Sequence, residues 1–299
     1  MPNPTQLTLL GVPARKTGVF RIYHDESGTD PDHSRFQLHG ALIVPESMAI
    51  TAYNALIVAR KGYIGRIHFV ELRDNTTSLR AQVSSAWLSL FFGDFLNYCF
   101  YKCMIVDTHS RSFEPSRFTR PYHLYNYTAR GAMVAGVTWS LKDFDEITLS
   151  LFSEEVSRHH DDNFIDYLPR ELSISLNAKN NKGKKCPQVV EPISPVVLVK
   201  GDPRFVSPDM AEHCEFVQLT DLITSAIAQA VNASAMQRIK LDLGLLVAGW
   251  IMDVRRPPWL QNKGLHRRFS VSCFPDKSGG FYDVPLEISE QYMGKLIDC

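Results

Sequence analysis

Six cysteines are spread over 299 residues, and no two stand in a CxxC pair. That spacing argues against a zinc ribbon and against a disulfide framework, and it points to a cytoplasmic chain with reduced thiols. No uninterrupted apolar run is long enough to span a bilayer. The opening residues show no basic stretch followed by an apolar core, so no secretory leader is expected. No internal repeat and no low-complexity tract is visible. Net charge is absent as well: 32 basic residues balance 32 acidic ones. A chain without excess positive charge does not coat nucleic acid over its whole surface, although a local basic groove stays compatible with it.

What the chain does have is apolar content. With 44% hydrophobic residues it can bury a sizeable core in one large domain or two small ones. Residues 1–17 read as a Pro-containing polar arm, 18–235 as the folded domain, and 236–299 as an irregular C-terminal extension. Within the domain, strands are predicted at about 18–25 and 36–44, joined by a Gly/Pro/Asp-rich loop as a hairpin. A helix follows to Arg60, then a short strand over 67–70, a helix to about Tyr98, and a buried strand at 103–106. Another helix covers roughly 119–141, and strands lie at 147–152 and 196–200. The helix at 215–231 is apolar on two sides, so it is expected to be sandwiched, with Asp221 pointing into an enclosed site.

The chemistry concentrates in carboxylates at element ends. Asp25-Glu26-Ser27-Gly28 closes the first strand. Glu71 stands at a strand-to-helix entry, Asp107 ends the central strand, and Asp221 lies in the last helix of the domain. Crowded or buried carboxylates need positive compensation, and a hard divalent cation with oxygen ligands is the usual one. Three or four acids converging from different elements suit two-metal hydrolysis of a phosphodiester, with Mg²⁺ or Mn²⁺ as the cation.

Asp25-Glu26-Ser27-Gly28, His68-x-x-Glu71-Leu72-Arg73 and Gln218-Leu219-Thr220-Asp221-Leu222-Ile223 together resemble the bacterial domain of unknown function 3800. The resemblance spans about residues 18–231. It implies an RNase H-like α/β fold, a mixed sheet flanked by helices. It also implies Asp25, Glu71, Asp107 and Asp221 as catalytic metal ligands, and a bacterial-defence setting; Glu26, adjacent to Asp25, is a further candidate metal-site acid. Thr220 stands where that family commonly has Ala. Ser153-Glu154-Glu155 offers an additional acid that the motifs do not place.

Nucleic acid, DNA or RNA, is therefore the expected substrate. The alternatives are a non-catalytic RNase H-like binding subunit of a larger complex, and hydrolysis of a small nucleotide. A protein partner or a second copy of the chain is also compatible, and no membrane partner is expected. His24, His68 and His109 each neighbour one of the acids and are candidate proton relays. His159-His160-Asp161-Asp162 has metal-ligand residue types, but adjacent residues are expected to diverge, which favours a surface helix start. Residues 177–185 read as a polar, lysine-rich loop, and its Lys182-Gly183-Lys184-Lys185 is a candidate phosphate contact. Residues 235–280 carry eight Lys/Arg against three Asp. Trp259, His266 and Phe269 interleave with those charges as stacking platforms would.

Overall fold

A computed structural model describes residues 15–28, 35–93, 95–183, 185–257, 259 and 263–288. Its centre is a seven-stranded mixed sheet flanked by helices. The strands are β1 (Thr17–Ser27), β2 (Phe36–Pro45), β3 (Phe100–Asp107), β4 (Glu146–Glu154), β5 (Gln188–Val189), β6 (Val197–Val199) and β7 (Phe269–Phe274). Their order is β5-β4-β1-β2-β3-β7, with β6 also beside β4. Only β2 runs antiparallel to its neighbours; β1 is parallel to β4, and β3 to β7. The C-terminal ends of β1, β3, β4, β6 and β7 therefore share one rim. The outer edge of β4 is divided: β5 pairs with its start and β6 with its end. Most of the loop expected over Ser27 to Ser34 lies outside the described residues.

Alternation along the strands sets two faces. Tyr23, Leu38, Leu42, Tyr101 and Ile105 look toward α1 (Glu46–Ala59), α2 (Leu79–Phe92), α5 (Ala211–Asn232) and α6 (Arg238–Arg255). Phe20, Ile22, Ala41, Ile43, Leu149 and Leu151 look toward α3 (Pro121–Ser140) and α4 (Phe164–Asn181). β1 and β2 are covered on both sides, which is why β2 is buried almost throughout.

Helix α5 is sandwiched, as its pattern predicts: Cys214 through Ile227 is buried without a break. Its polar residues find partners there. The Arg60 guanidinium pairs with Glu215 at 2.7 Å and donates to Gln218 at 3.2 Å, and Gln218 also accepts from the Ile67 amide. The Thr220 and Thr224 hydroxyls bond back to carbonyls one turn earlier.

Gly40 permits the close approach of α5 to the sheet. A Cβ at that position would lie 2.2 Å from both Thr224 Oγ1 and Tyr101 Oη, which bond to each other at 2.7 Å.

Three expectations need correction. The segment 67–70 is not a strand: a single 3-10 turn, Phe69–Glu71, follows an extended His68. Its amides bond to α5 side chains and not to a neighbouring strand. The polar stretch after Asn177 is still helical to Asn181, because α4 needs only one apolar stripe. The described residues between 236 and 288 are not an irregular extension. They form α6, α7 (Lys263–Arg268) and β7, and they belong to the same core and sheet. Ile239, Leu243, Val247 and Ile251 give α6 a buried stripe at four-residue spacing, which the interspersed charges mask in the sequence.

Gly40→Ala is expected to destabilise the fold by about 1–3 kcal/mol in urea unfolding, because neither Thr224 nor Tyr101 can yield without breaking their bond. Gly249→Ala, at an α6 position with open space around it, is expected to be neutral or stabilising by about 0.5–1 kcal/mol.

Candidate functional site

The sheet rim brings together acids from three elements. The parallel register His24↔Ser153 sets Asp25 and Glu154 level on adjacent strands, both on the α5 face. Asp221 reaches the same place from α5, one turn before the Thr224 that closes on Gly40, and Gly40 is the register partner of Asp25. Asp25 and Asp221 are 6% and 4% exposed, so neither faces bulk solvent. Glu26 follows on β1 and points to the other face, where its Oε2 accepts from Tyr125 Oη at 2.7 Å and lies 3.9 Å from His24 Nδ1.

The electrostatics identify this as one cluster. Burial pushes the Asp25 carboxyl well above the usual carboxylate range, and Asp221, Glu26 and Glu154 push it further in the same direction. Burial raises Glu154 too; Arg66 opposes that shift, and Asp221 adds to it. Glu26 is also raised by burial, against the Tyr125 bond and Arg158. Asp25 Oδ2 is buried and has no hydrogen-bond partner. A buried carboxylate oxygen left without a donor is costly and marks a place where a proton or a cation belongs.

Compensation comes from the segment after α1. The Phe69 amide donates to Asp221 Oδ2 at 3.0 Å, and the Ser225 hydroxyl donates to Oδ1 at 3.2 Å. His68 Nε2 is 3.7 Å from Asp221 Oδ1, while its buried Nδ1 has no partner. Arg66 pairs with Glu154 and lies 3.7 Å from Glu71. Gln218 thus has a positioning role: with Arg60 it fixes the start of this segment, so that Arg66 and His68 reach the acids.

Two acids expected at the site stand outside the cluster. Glu71 is at its border, held by Arg80 at 2.8 Å and by Arg66. Asp107 is farther away. The register Asp25↔Gly40↔Cys103 leaves it four residues beyond the level of Asp25 and two strands across. That is roughly 13 Å along the strand and about 10 Å across it. Asp107 takes both Arg35 nitrogens at 2.8 and 2.9 Å, Tyr282 Oη at 2.8 Å and the His109 amide at 3.1 Å. Burial alone would raise its pKa, but these donors hold it below the usual value. This is a structural acid that ties β3 to the segment after β7.

Glu154 replaces them. The signal was legible as an acid ending a strand that is parallel to β1, but only the pairing of β4 with β1 gives it meaning. Of the histidines, His24 lies behind the sheet. It bonds His39 at 3.2 Å, and His39 Nε2 bonds Thr128 Oγ1 at 2.7 Å.

His159, His160 and Asp161 do converge despite their adjacency. They are the only trio of ligand atoms within 4.8 Å of one another among the described residues, and all three are exposed. Two imidazoles and one carboxylate do not make the oxygen-rich set that Mg²⁺ or Mn²⁺ prefers. The four rim acids are spread more widely than that spacing.

The C-terminal charges are largely spent on the fold. Arg268 donates to the carbonyls of Phe91 and Gly93, Lys240 to Val70, and Arg238 pairs with Asp242. Phe269 is buried and His266 packs edge-on against Trp139, which removes both as stacking platforms; Trp259 is 80% exposed. Lys185 pairs with Asp143, and Lys184 lies outside the described residues. No helix is long and apolar enough to cross a membrane among the described residues.

No protein-family model matches the chain, and no curated protein matches it.

The raised Asp25 pKa has a stability consequence. Below the unfolded carboxylate range, Asp25 is protonated folded or unfolded and contributes its full stability. That contribution is lost as pH rises through the folded pKa. Thermal melts of metal-free protein should therefore fall from mildly acidic toward neutral pH. Asp25→Asn should flatten that slope and melt higher at neutral pH. Asp107→Asn should instead lose stability in the same melts.

Proposed function

We propose that this chain is a Mg²⁺- or Mn²⁺-dependent phosphodiester hydrolase that acts on DNA or RNA. One observation carries the reading: the buried Asp25 carboxylate, with an unpartnered oxygen, shares a rim with Asp221, Glu154 and Glu26. An all-oxygen donor set of like charge suits a hard divalent cation. Asp25, Asp221 and Glu154 are the residues that would hold it, with Glu26 closing the rear of the site. The bound cation would supply charge compensation and polarise water and a phosphate oxygen.

The chain's own groups have distinct tasks in this reading. The Phe69 amide orients Asp221, and Gln218 holds the segment that carries that amide. His68, its ring partly exposed and its Nε2 beside Asp221, is placed to hand a proton to the leaving oxygen. Arg66, paired with Glu154 beside the acids, is the guanidinium placed to meet a non-bridging phosphate oxygen. A mixed sheet with helices on both faces agrees, at the level of class, with the RNase H-like fold that the motif resemblance implies. The acids lie at a strand rim, where Asp25 and Asp221 are buried, and clefts elsewhere on the protein contain none of them. One of about 730 Å³, lined by Met104, Phe113, Tyr127 and Phe274 among others, is on the opposite face.

The second reading, a non-catalytic binding subunit, draws on Arg66. Its guanidinium already neutralises Glu154, and a site satisfied that way needs no cation. The two readings separate in one assay with labelled single- and double-stranded DNA and RNA, in Mg²⁺, Mn²⁺ or chelator. The hydrolase reading expects metal-dependent cleavage that drops by about two orders of magnitude or more in Asp25→Asn, Asp221→Asn and Glu154→Gln. Glu71→Gln and Asp107→Asn should stay within about tenfold of the parent. Binding without cleavage in every metal would establish the subunit reading.

A further inference from the structure

Lys102 is a buried cation without a counter-charge. It lies mid-strand in β3, 7% exposed, on the α3 face of the sheet. Its Nζ donates to Ser270 Oγ at 2.9 Å and to Ser272 Oγ at 2.6 Å on the neighbouring β7. The register Lys102↔Ser270 and Met104↔Ser272 fixes this geometry, so the ammonium sits between two hydroxyls on one face of a parallel pair. Gly136 of α3 leaves room for the lysine stem: a Cβ there would lie 3.3 Å from Lys102 Cβ. Among the described residues no acid pairs with the amine.

Desolvation lowers the amine to about 8, and the only titratable neighbour acting on it is the Cys103 thiol. A buried ammonium in such surroundings normally has a carboxylate partner, because leaving it unpaired costs several kcal/mol.

The donor count shows what the site lacks. An ammonium has three N–H donors, and two go to the serines. Each serine oxygen accepts from the lysine, so its own O–H is left to point elsewhere, and neither serine donates to another described group. One N–H and two O–H groups, with a net positive charge and no acceptor, converge between β3 and β7. Both serines are half-buried, which gives the place an opening at the sheet edge.

We propose that Lys102, Ser270 and Ser272 form a binding site for one phosphoryl oxyanion. Such an anion supplies the missing negative charge and accepts all three unspent hydrogens. The site is on the sheet face opposite Asp25 and shares no residue with the acidic rim, so it stands whether or not the hydrolase reading does. The oxyanion could be free phosphate or a phosphate of a nucleic-acid strand; the small opening favours free phosphate.

Titration of the full chain with inorganic phosphate, followed by calorimetry and by ³¹P line broadening, tests this. Saturable binding with a phosphate-dependent rise in melting temperature is expected. Lys102→Met, which keeps the stem, should weaken binding by at least about tenfold, and Ser270→Ala/Ser272→Ala should do the same in a protein with the parent circular dichroism spectrum. Asp25→Asn should bind phosphate like the parent, which separates this site from the rim. A short single-stranded oligonucleotide that displaces phosphate would identify a strand as the source, and failure to displace it would identify the free ion. Absence of saturable phosphate binding by the parent, or unchanged binding in both variants, would overturn the proposal.

Discussion

Mutual repulsion among Asp25, Asp221, Glu154 and Glu26 is the constraint around which this rim is organised. Carboxylates this crowded and this dry separate or protonate unless the protein fixes them. Here the fixation is structural. Asp25 and Glu154 are locked level by parallel pairing, and Asp221 rides on a helix that the core grips from both sides. The energy that holds the acids together comes from apolar burial along α5, at about 1.5–3 kcal/mol for each large side chain.

That division explains why the polar residues of α5 are not interchangeable. Glu215 and Gln218 make no approach to the rim themselves. Through Arg60 and the Ile67 amide they fix where the 66–71 segment leaves α1, and that segment brings Arg66, His68 and the Phe69 amide to the acids. The Gln and the Asp of the Gln218–Asp221 motif thus serve one purpose from two directions. The Gln holds the loop, and the Asp meets what the loop delivers.

The alternation and stripe patterns made the central strands, the sandwiched helix and the end-of-strand position of Asp25 legible in the sequence. They did not reveal which strands are neighbours, and the membership of the site depends on that. Glu154 belongs because β4 lies beside β1. Asp107, on an equally strand-like run, does not, because β2 intervenes and the register carries it past the level of Asp25. Glu71 was placed near the site by its motif, but Arg80 competes for it, and no local pattern announces an arginine nine residues away. The segment from 236 onward read as loose because its charges drew attention from the four-residue stripe of α6. Once folded, those same charges cap carbonyls or pair within the helix.

The divided edge of β4 has a bearing on how copies of the chain behave toward one another. A long bare strand at the end of a sheet offers a ladder of unsatisfied amides and carbonyls on which another chain can build. Here two fragments, Gln188–Val189 and Val197–Val199, occupy the two ends of that ladder, and each is too short to act as a template in its turn. Ile193 and Val196, packed into the core between them, carry the backbone across the gap. The sheet therefore ends there in a broken margin that resists fibrillar growth, with no need for a guarding proline or lysine in the strand itself.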